Sequence, residues 1–144
     1  MIGAGVGARS IEVYNSSNPT EIHIPGFDNG KRFRVVLVPT AEARRFQVNF
    51  RTASDVAFHF NARFDENAVV NNSTQGGRWL HEERTNLPFR HGRVYTLEFV
   101  AQFGRIQVLL NGAPFFDFAE RLPGSEIQSI DIDGDVHVHS ATLH

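Results

Sequence analysis

The sequence predicts an all-β fold, a two-sheet antiparallel sandwich, and three observations carry that prediction. Helical periodicity is nearly absent. Short segments alternate apolar and polar residues with the period of two that a strand imposes. Turn signals punctuate them roughly every eight to twelve residues, the spacing of a sandwich or barrel. With 144 residues and no linker, low-complexity tract or internal repeat, residues 1–144 form one domain, long enough to bury a single core.

The elements follow in order. "FRVVLVP" (Phe33 to Pro39) is a strand that stops at a proline. "RFQVNFRT" puts Phe46, Val48 and Phe50 on one face and Gln47, Asn49 and Arg51 on the other. After the turn-prone "TASD" comes "FHFNARF", in which Phe58, Phe60, Ala62 and Phe64 share the inner face. "AVVNNS" is a further strand, closed by "TQGG". "VYTLEFVAQF" and "RIQVLLNG" alternate in the same way, and Asn111-Gly112 signals a type I′ hairpin into "APFFDF". "IQSIDIDGDVHVHSATL" is read as a second hairpin, with Asp133-Gly134 at its turn and Ile130, Ile132, Val136 and Val138 inward. The "FAERL" turn is the one weak helical candidate. About ten or eleven short strands pack as two sheets whose inner faces make the core.

Composition narrows the function classes. Phe occurs 13 times against one Trp and one Met, so the core is Phe-rich and Trp79 is a singular choice. A net charge of −2 gives no electrostatic case for nucleic acid. The absence of cysteine excludes disulfides and thiolate metal sites. "MIGAGVGARS" lacks the charged and apolar regions of a signal peptide, and no apolar run reaches membrane-spanning length. The expectation is a soluble protein made in the cytosol, with no membrane insertion.

On "FHFNARF" the odd residues His59, Asn61 and Arg63 project from the outer face. Such a row is either a solvated strand face or a binding surface. Asn is depleted in strands, and an imidazole, an amide and a guanidinium together suit a neutral polyhydroxylated ligand. Asn72 shares its face with Ala68 and Val70, and is either a turn residue or part of that surface. Trp79 lies in "RWLHEER", among Arg78, His81, Glu82, Glu83 and Arg84. It is either core or an exposed stacking platform for the apolar face of a ligand, and its charged neighbours favour exposure.

"HFNARF", "VVNNS" and "WLHEER", in that order and spacing, resemble the galectin carbohydrate-recognition signature H-x-N-P-R, V-x-N, W-G-x-E-x-R. The flanks "GKRFRVVLVP", "HGRVYTLEFVAQFGRIQVLLNG" and "FFDFAERL" resemble galectins as well, so the likeness covers nearly the whole chain. It implies a jelly-roll sandwich of the galectin and legume-lectin kind. It further implies that His59, Asn61 and Arg63 bond the axial 4-hydroxyl of galactose, Arg63 also reaching the ring oxygen. Asn72 and Glu82 would hold the 6-hydroxyl, and Trp79 would stack on the sugar's C–H face. Glu82 and Arg84 would reach the next sugar and pair with Arg63. Partners implied are β-galactoside glycans on glycoproteins or glycolipids, with no catalysis and no cofactor or metal. A homodimer through terminal strands is expected, as is a cytoplasmic or extracellular location reached without a signal peptide.

Three departures stand out. The signature's proline is Ala62, with its side chain inward. Its glycine after tryptophan is Leu80, and strict alternation from Trp79 to Glu82 would turn the indole away, so an irregular step is needed there. The acidic Asp65 and Glu66 follow the ladder in a loop, where Glu66 is a candidate contact to a second sugar, such as a fucose linked to galactose. The alternative reading is a structural or protein-interaction module on a galectin-like sandwich whose sugar site has drifted, and Leu80 is what supports it.

Other features are set aside. His137 and His139 share a strand face but lack a third metal ligand. "NNST" and "NSS" match the N-glycosylation pattern, yet without a signal peptide they stay unmodified. Glu82 and Glu83, as strand neighbours, point apart and cannot flank one glycosidic bond.

Overall fold

A computed structural model describes residues 11–14 and 19–144. The N-terminal "MIGAGVGARS" and the "NSS" sequence at Asn15 lie outside the described residues. Two six-stranded antiparallel sheets make the sandwich. The first is ordered β1 (Ile11–Tyr14), β14 (Val136–Leu143), β3 (Arg32–Pro39), β10 (Tyr95–Gln102), β11 (Arg105–Leu110), β12 (Ala113–Ala119). The second is ordered β2 (Thr20–His23), β13 (Ser129–Gly134), β4 (Arg45–Arg51), β5 (Val56–Arg63), β6 (Ala68–Asn72), β9 (Glu83–Asn86). A two-stranded ribbon, β7 (Thr74–Gln75) and β8 (Arg78–Trp79), stands apart from both. The strands outnumber the ten or eleven expected because β1, β2, β7, β8 and β9 are pieces of two to four residues, too short for alternation to register.

The core is Phe-rich as expected. Phe33, Phe46, Phe50, Phe58, Phe60 and Phe99 are fully buried, and Phe58 stacks on Phe118 with centroids 4.2 Å apart. A core built this way places large side chains edge-to-face across the two sheets, as Phe50 and Phe99 do at 5.1 Å. Truncating such a ring costs roughly 3–5 kcal/mol. Phe64 falls just beyond the end of β5 and is only partly buried, stacked on His91 at 4.4 Å.

Asn111-Gly112 is the expected type I′ turn: Leu110 pairs with Ala113, and the two turn residues have φ of 50° and 85°. Asp133-Gly134 is not a hairpin turn. β13 pairs with β4 and β2 in one sheet, whereas β14 pairs with β3 and β1 in the other, so the chain changes sheet there. Gly134 is required for a different reason. A Cβ on it would come within 2.6 Å of the Arg45 carbonyl oxygen, and its φ is 100°. Ile130, Ile132, Val136 and Val138 are nevertheless buried as expected, since both sheets face one core. "FAERL" is not helical; Phe118 and Ala119 end β12, and the only helical turn among the described residues is the 3₁₀ turn Gly124–Glu126.

Candidate functional site

Register assembles the site. His59 pairs with Asn49 on β4 and Asn72 on β6; Asn61 pairs with Gln47 and Val70; Arg63 pairs with Arg45 and Ala68. Directly opposed residues share a face, so Arg45, Gln47, His59, Asn61, Arg63, Val70 and Asn72 stand together on the outer surface of the second sheet. They line a groove of about 510 Å³, within the range of small-molecule sites. His59, Asn61 and Arg63 form its floor, Arg45 and Gln47 one flank, and Val70, Asn72, Trp79, Leu80 and Glu82 the other.

The irregular step is present. β8 ends at Trp79 and β9 begins at Glu83, so Leu80 to Glu82 belong to neither strand. Leu80 N–H donates to the Ser73 carbonyl at 2.9 Å, and its own carbonyl accepts from Asn72 Nδ2 at 3.0 Å. The detour brings Trp79 and Glu82 to the same groove. Trp79 is 55% exposed with its ring 4.7 Å from the His59 ring, so it is not a core residue. Leu80 is 39% exposed on the groove wall.

The ribbon bearing Trp79 is tied down by Asp55. Its Oδ1 accepts from Thr74 Oγ1 and Gly77 N–H, both at 2.8 Å, and its Oδ2 accepts from Gly76 N–H at 3.1 Å. Gly76 and Gly77 have φ of 60° and 78°, so the turn that presents its amides to Asp55 depends on glycine. The Gly77 amide, then the Thr74 hydroxyl, hold the Asp55 carboxyl below its ordinary range.

The opposite end of the groove is held by charge. Arg45 forks onto Asp65, Nε to Oδ1 at 3.1 Å and Nη2 to Oδ2 at 3.0 Å, and reaches Glu66 at 2.8 Å. Glu66 also accepts from Arg84 Nη1 at 2.8 Å and from Arg63 Nη1 at 3.2 Å. The Arg84 bond, ahead of Arg63, lowers the Glu66 pKa; the Arg45 bond does the same for Asp65. Arg63 therefore has Glu66 as its carboxylate partner rather than Glu82, which accepts from Arg84 Nε at 3.0 Å. Alternation within one strand could not show this, because Glu66 lies in the turn between β5 and β6. Glu66 and Arg84 form the layer that orients Arg63, outside the groove lining itself.

Beneath the floor, Asn61 Nδ2 donates to the Phe46 carbonyl at 3.1 Å and its Oδ1 accepts from Arg63 Nε at 2.6 Å. His59 Nδ1 lies 2.6 Å from Asn49 Oδ1, Asn49 Nδ2 donates to Asp131 Oδ1 at 3.0 Å, and Arg51 Nε bonds Asp131 Oδ2. Burial first, then the charges of Arg63 and Arg51, press the His59 pKa down to about 4. On the far side Arg121 gathers Asn72 Oδ1 (2.9 Å), Ser73 Oγ (3.1 Å), the His81 carbonyl and Glu83 Oε2 (both 2.8 Å), over the Phe118 ring. Glu83 thus turns away from the groove that Glu82 lines.

Of the eight residues proposed from sequence, His59, Asn61, Arg63, Asn72, Trp79 and Glu82 converge on the groove, with Glu66 and Arg84 one layer out. Sequence reasoning did not single out Arg45, Gln47, Asn49, Asp55, Arg121 or Asp131. For Gln47 and Asn49 a signal existed: their alternation on the strand preceding the ladder. His137 and His139 are exposed on one face of β14, and no group of three or more metal-type ligands occurs among the described residues.

Comparison with known proteins bears on the family and the fold. The galactoside-binding lectin family model matches residues 19–143. Mouse galectin-6 is 38% identical over 133 residues, covering 88% of this chain and 44% of its own. A Haemonchus contortus 32 kDa β-galactoside-binding lectin is 36% identical over 107 residues, 68% of this chain and 38% of that one. The chain thus spans less than half the length of these curated relatives. The crystal structure of Caenorhabditis elegans galectin LEC-6 superposes with a TM-score of 0.90 at 51% identity, covering 92% of this chain and 95% of that one. Sheep galectin-11, in complex with glycerol, shares the fold with a TM-score of 0.83 at 24% identity, covering 90% of this chain and 99% of that one. On the matched domain and the shared fold alike, this chain belongs to the galectin family.

Proposed function

We propose that this chain is a β-galactoside-binding lectin that acts without catalysis and without a metal ion. The observation that carries the reading is the convergence of His59, Asn61, Arg63, Asn72, Trp79 and Glu82 on one groove. The exposed indole offers a surface for the C–H face of a galactose, and the floor offers donors and acceptors to its axial 4-hydroxyl. A glucose epimer leaves those buried polar groups unpaired, which supplies the discrimination.

Calorimetry with lactose, unchanged by a chelator, is the expected result, with sucrose silent. A folded sample that binds no galactose-terminated glycan on an array overturns the reading. On the same array, galactose linked to fucose tests whether the Glu66–Arg84–Glu82 chain of ion pairs at the groove's end receives a second sugar. Preference for N-acetyllactosamine over it removes that refinement. We also propose pairing of two copies through terminal strands, which raises avidity for clustered glycans. Light scattering that reports a monomer at high concentration rules this out.

A further inference from the structure

We propose that the buried chain Asp131–Asn49 sets His59 as its Nδ1–H tautomer, so that its Nε2 meets the ligand only as an acceptor. This deepens the galactoside reading and rests on it for the identity of the ligand. The steps follow from valence. Asp131, ion-paired with Arg51, offers acceptors alone. Asn49, 3% exposed, must therefore turn its NH₂ to Asp131, and does so at 3.0 Å. Its carbonyl oxygen is then the atom left for His59, 2.6 Å from Nδ1. An oxygen so placed demands a proton on Nδ1, which leaves Nε2 with its lone pair. The charged groups acting on the ring are Arg63, Arg51, Asp131 and Glu82, and the low His59 pKa keeps the imidazole neutral at pH 7.

The consequence is a complete match to one hydroxyl. A hydroxyl has one proton to give and two lone pairs to fill. Arg63 can only donate. Asn61 commits one Nδ2 proton to the Phe46 carbonyl and its Oδ1 to Arg63, which leaves its second Nδ2 proton. With His59 Nε2 as acceptor, the floor holds two donors and one acceptor. With the other tautomer it would hold three donors, and the hydroxyl proton would have no partner. Asn49 and Asp131 are thus positioning residues, acting on the sugar through His59.

The test begins without sugar. In the ¹⁵N-labelled full chain at pH 7, long-range ¹H–¹⁵N correlation spectra are expected to show His59 with a protonated Nδ1 and a bare Nε2. Asp131→Asn frees the Asn49 amide to turn over, and is expected to convert His59 to a tautomer mixture and weaken lactose about tenfold, the loss of roughly one hydrogen bond. Asn49→Ala serves the same purpose if the first variant does not fold. For a 4-deoxy analogue of lactose the variant and the parent are expected to bind alike. A protonated Nε2 in the parent chain, or an unaltered Nδ1–H population in the folded variant, overturns the proposal. A chain with the expected tautomer that binds no lactose overturns the galactoside reading and leaves the tautomer assignment standing.

Discussion

The two ends of the groove are held by opposite means. At the tryptophan end, the Asp55 carboxylate grips the backbone amides of a glycine turn, and fixes the path of the chain. At the acidic end, Asp65 and Glu66 receive arginine side chains from β4, β5 and β9, and Arg44 beside them, and fix only where guanidinium groups point. The first arrangement gives shape to a neutral aromatic wall. The second gives direction to charge, through groups that solvent and salt reach. One carboxylate chemistry thus serves backbone geometry on one side and electrostatic alignment on the other.

Removing the aromatic wall is the most severe way to test that contrast. Trp79→Ala is expected to weaken lactose by at least about 100-fold in calorimetry, since it deletes a stacking surface from the binding site. The melting temperature should stay within about 2 °C, because Trp79 is 55% exposed. A variant that unfolds would mean the ribbon is structural.

His59 lies between the two ends and reads out in stability. Its folded pKa of about 4 lies below its ordinary 6.5, so the folded chain binds fewer protons than the unfolded one across that interval. Stability is full above pH 6.5 and falls as the pH drops toward 4, by roughly 2–3 kcal/mol at pH 4.5. Urea titrations at pH 7 and 4.5 measure it, and His59→Gln should remove most of the slope. A parent chain equally stable at both values contradicts the assignment.

Smaller effects separate the two ends directly. Asp55→Asn turns an NH₂ toward amide donors, so it should weaken lactose about tenfold and shift the emission of Trp79, with little change between low and high salt. Glu66→Gln should cost only about threefold at low salt, and that cost should vanish near molar salt, where the ion pairs are screened in the parent as well. If the Asp55 effect proves salt-sensitive and the Glu66 effect does not, the contrast is reversed.

The sequence disclosed the floor better than its supports. His59, Asn61 and Arg63 are legible because alternation within one strand places them on one face, and Phe58 and Phe60 on the other. Trp79 with Glu82 needed a break in alternation, and the break is there at Leu80 to Glu82. Asp133-Gly134 misled because the dipeptide is the same whether a chain turns back or crosses between sheets; the difference lies in the close approach of Arg45. Asn49 and Asp131 are 82 residues apart, and Arg121 and Asn72 are 49 apart. No local period connects such pairs, so the residues that orient the groove were hidden while those that line it were visible.

The position of β13 beside β4 also bears on how the site comes into being. Every residue lining the groove lies between Arg45 and Glu82, yet Asp131, which orders the floor through Asn49, lies 82 residues after Asn49, in β13. A ribosome that has released the whole groove segment has not released the partner of β4, whose edge stays unpaired until then. Pairing across such sequence separations closes large loops late and folds in the millisecond-to-second range. The groove therefore gains its final order only once β13 has been synthesised and docks beside β4.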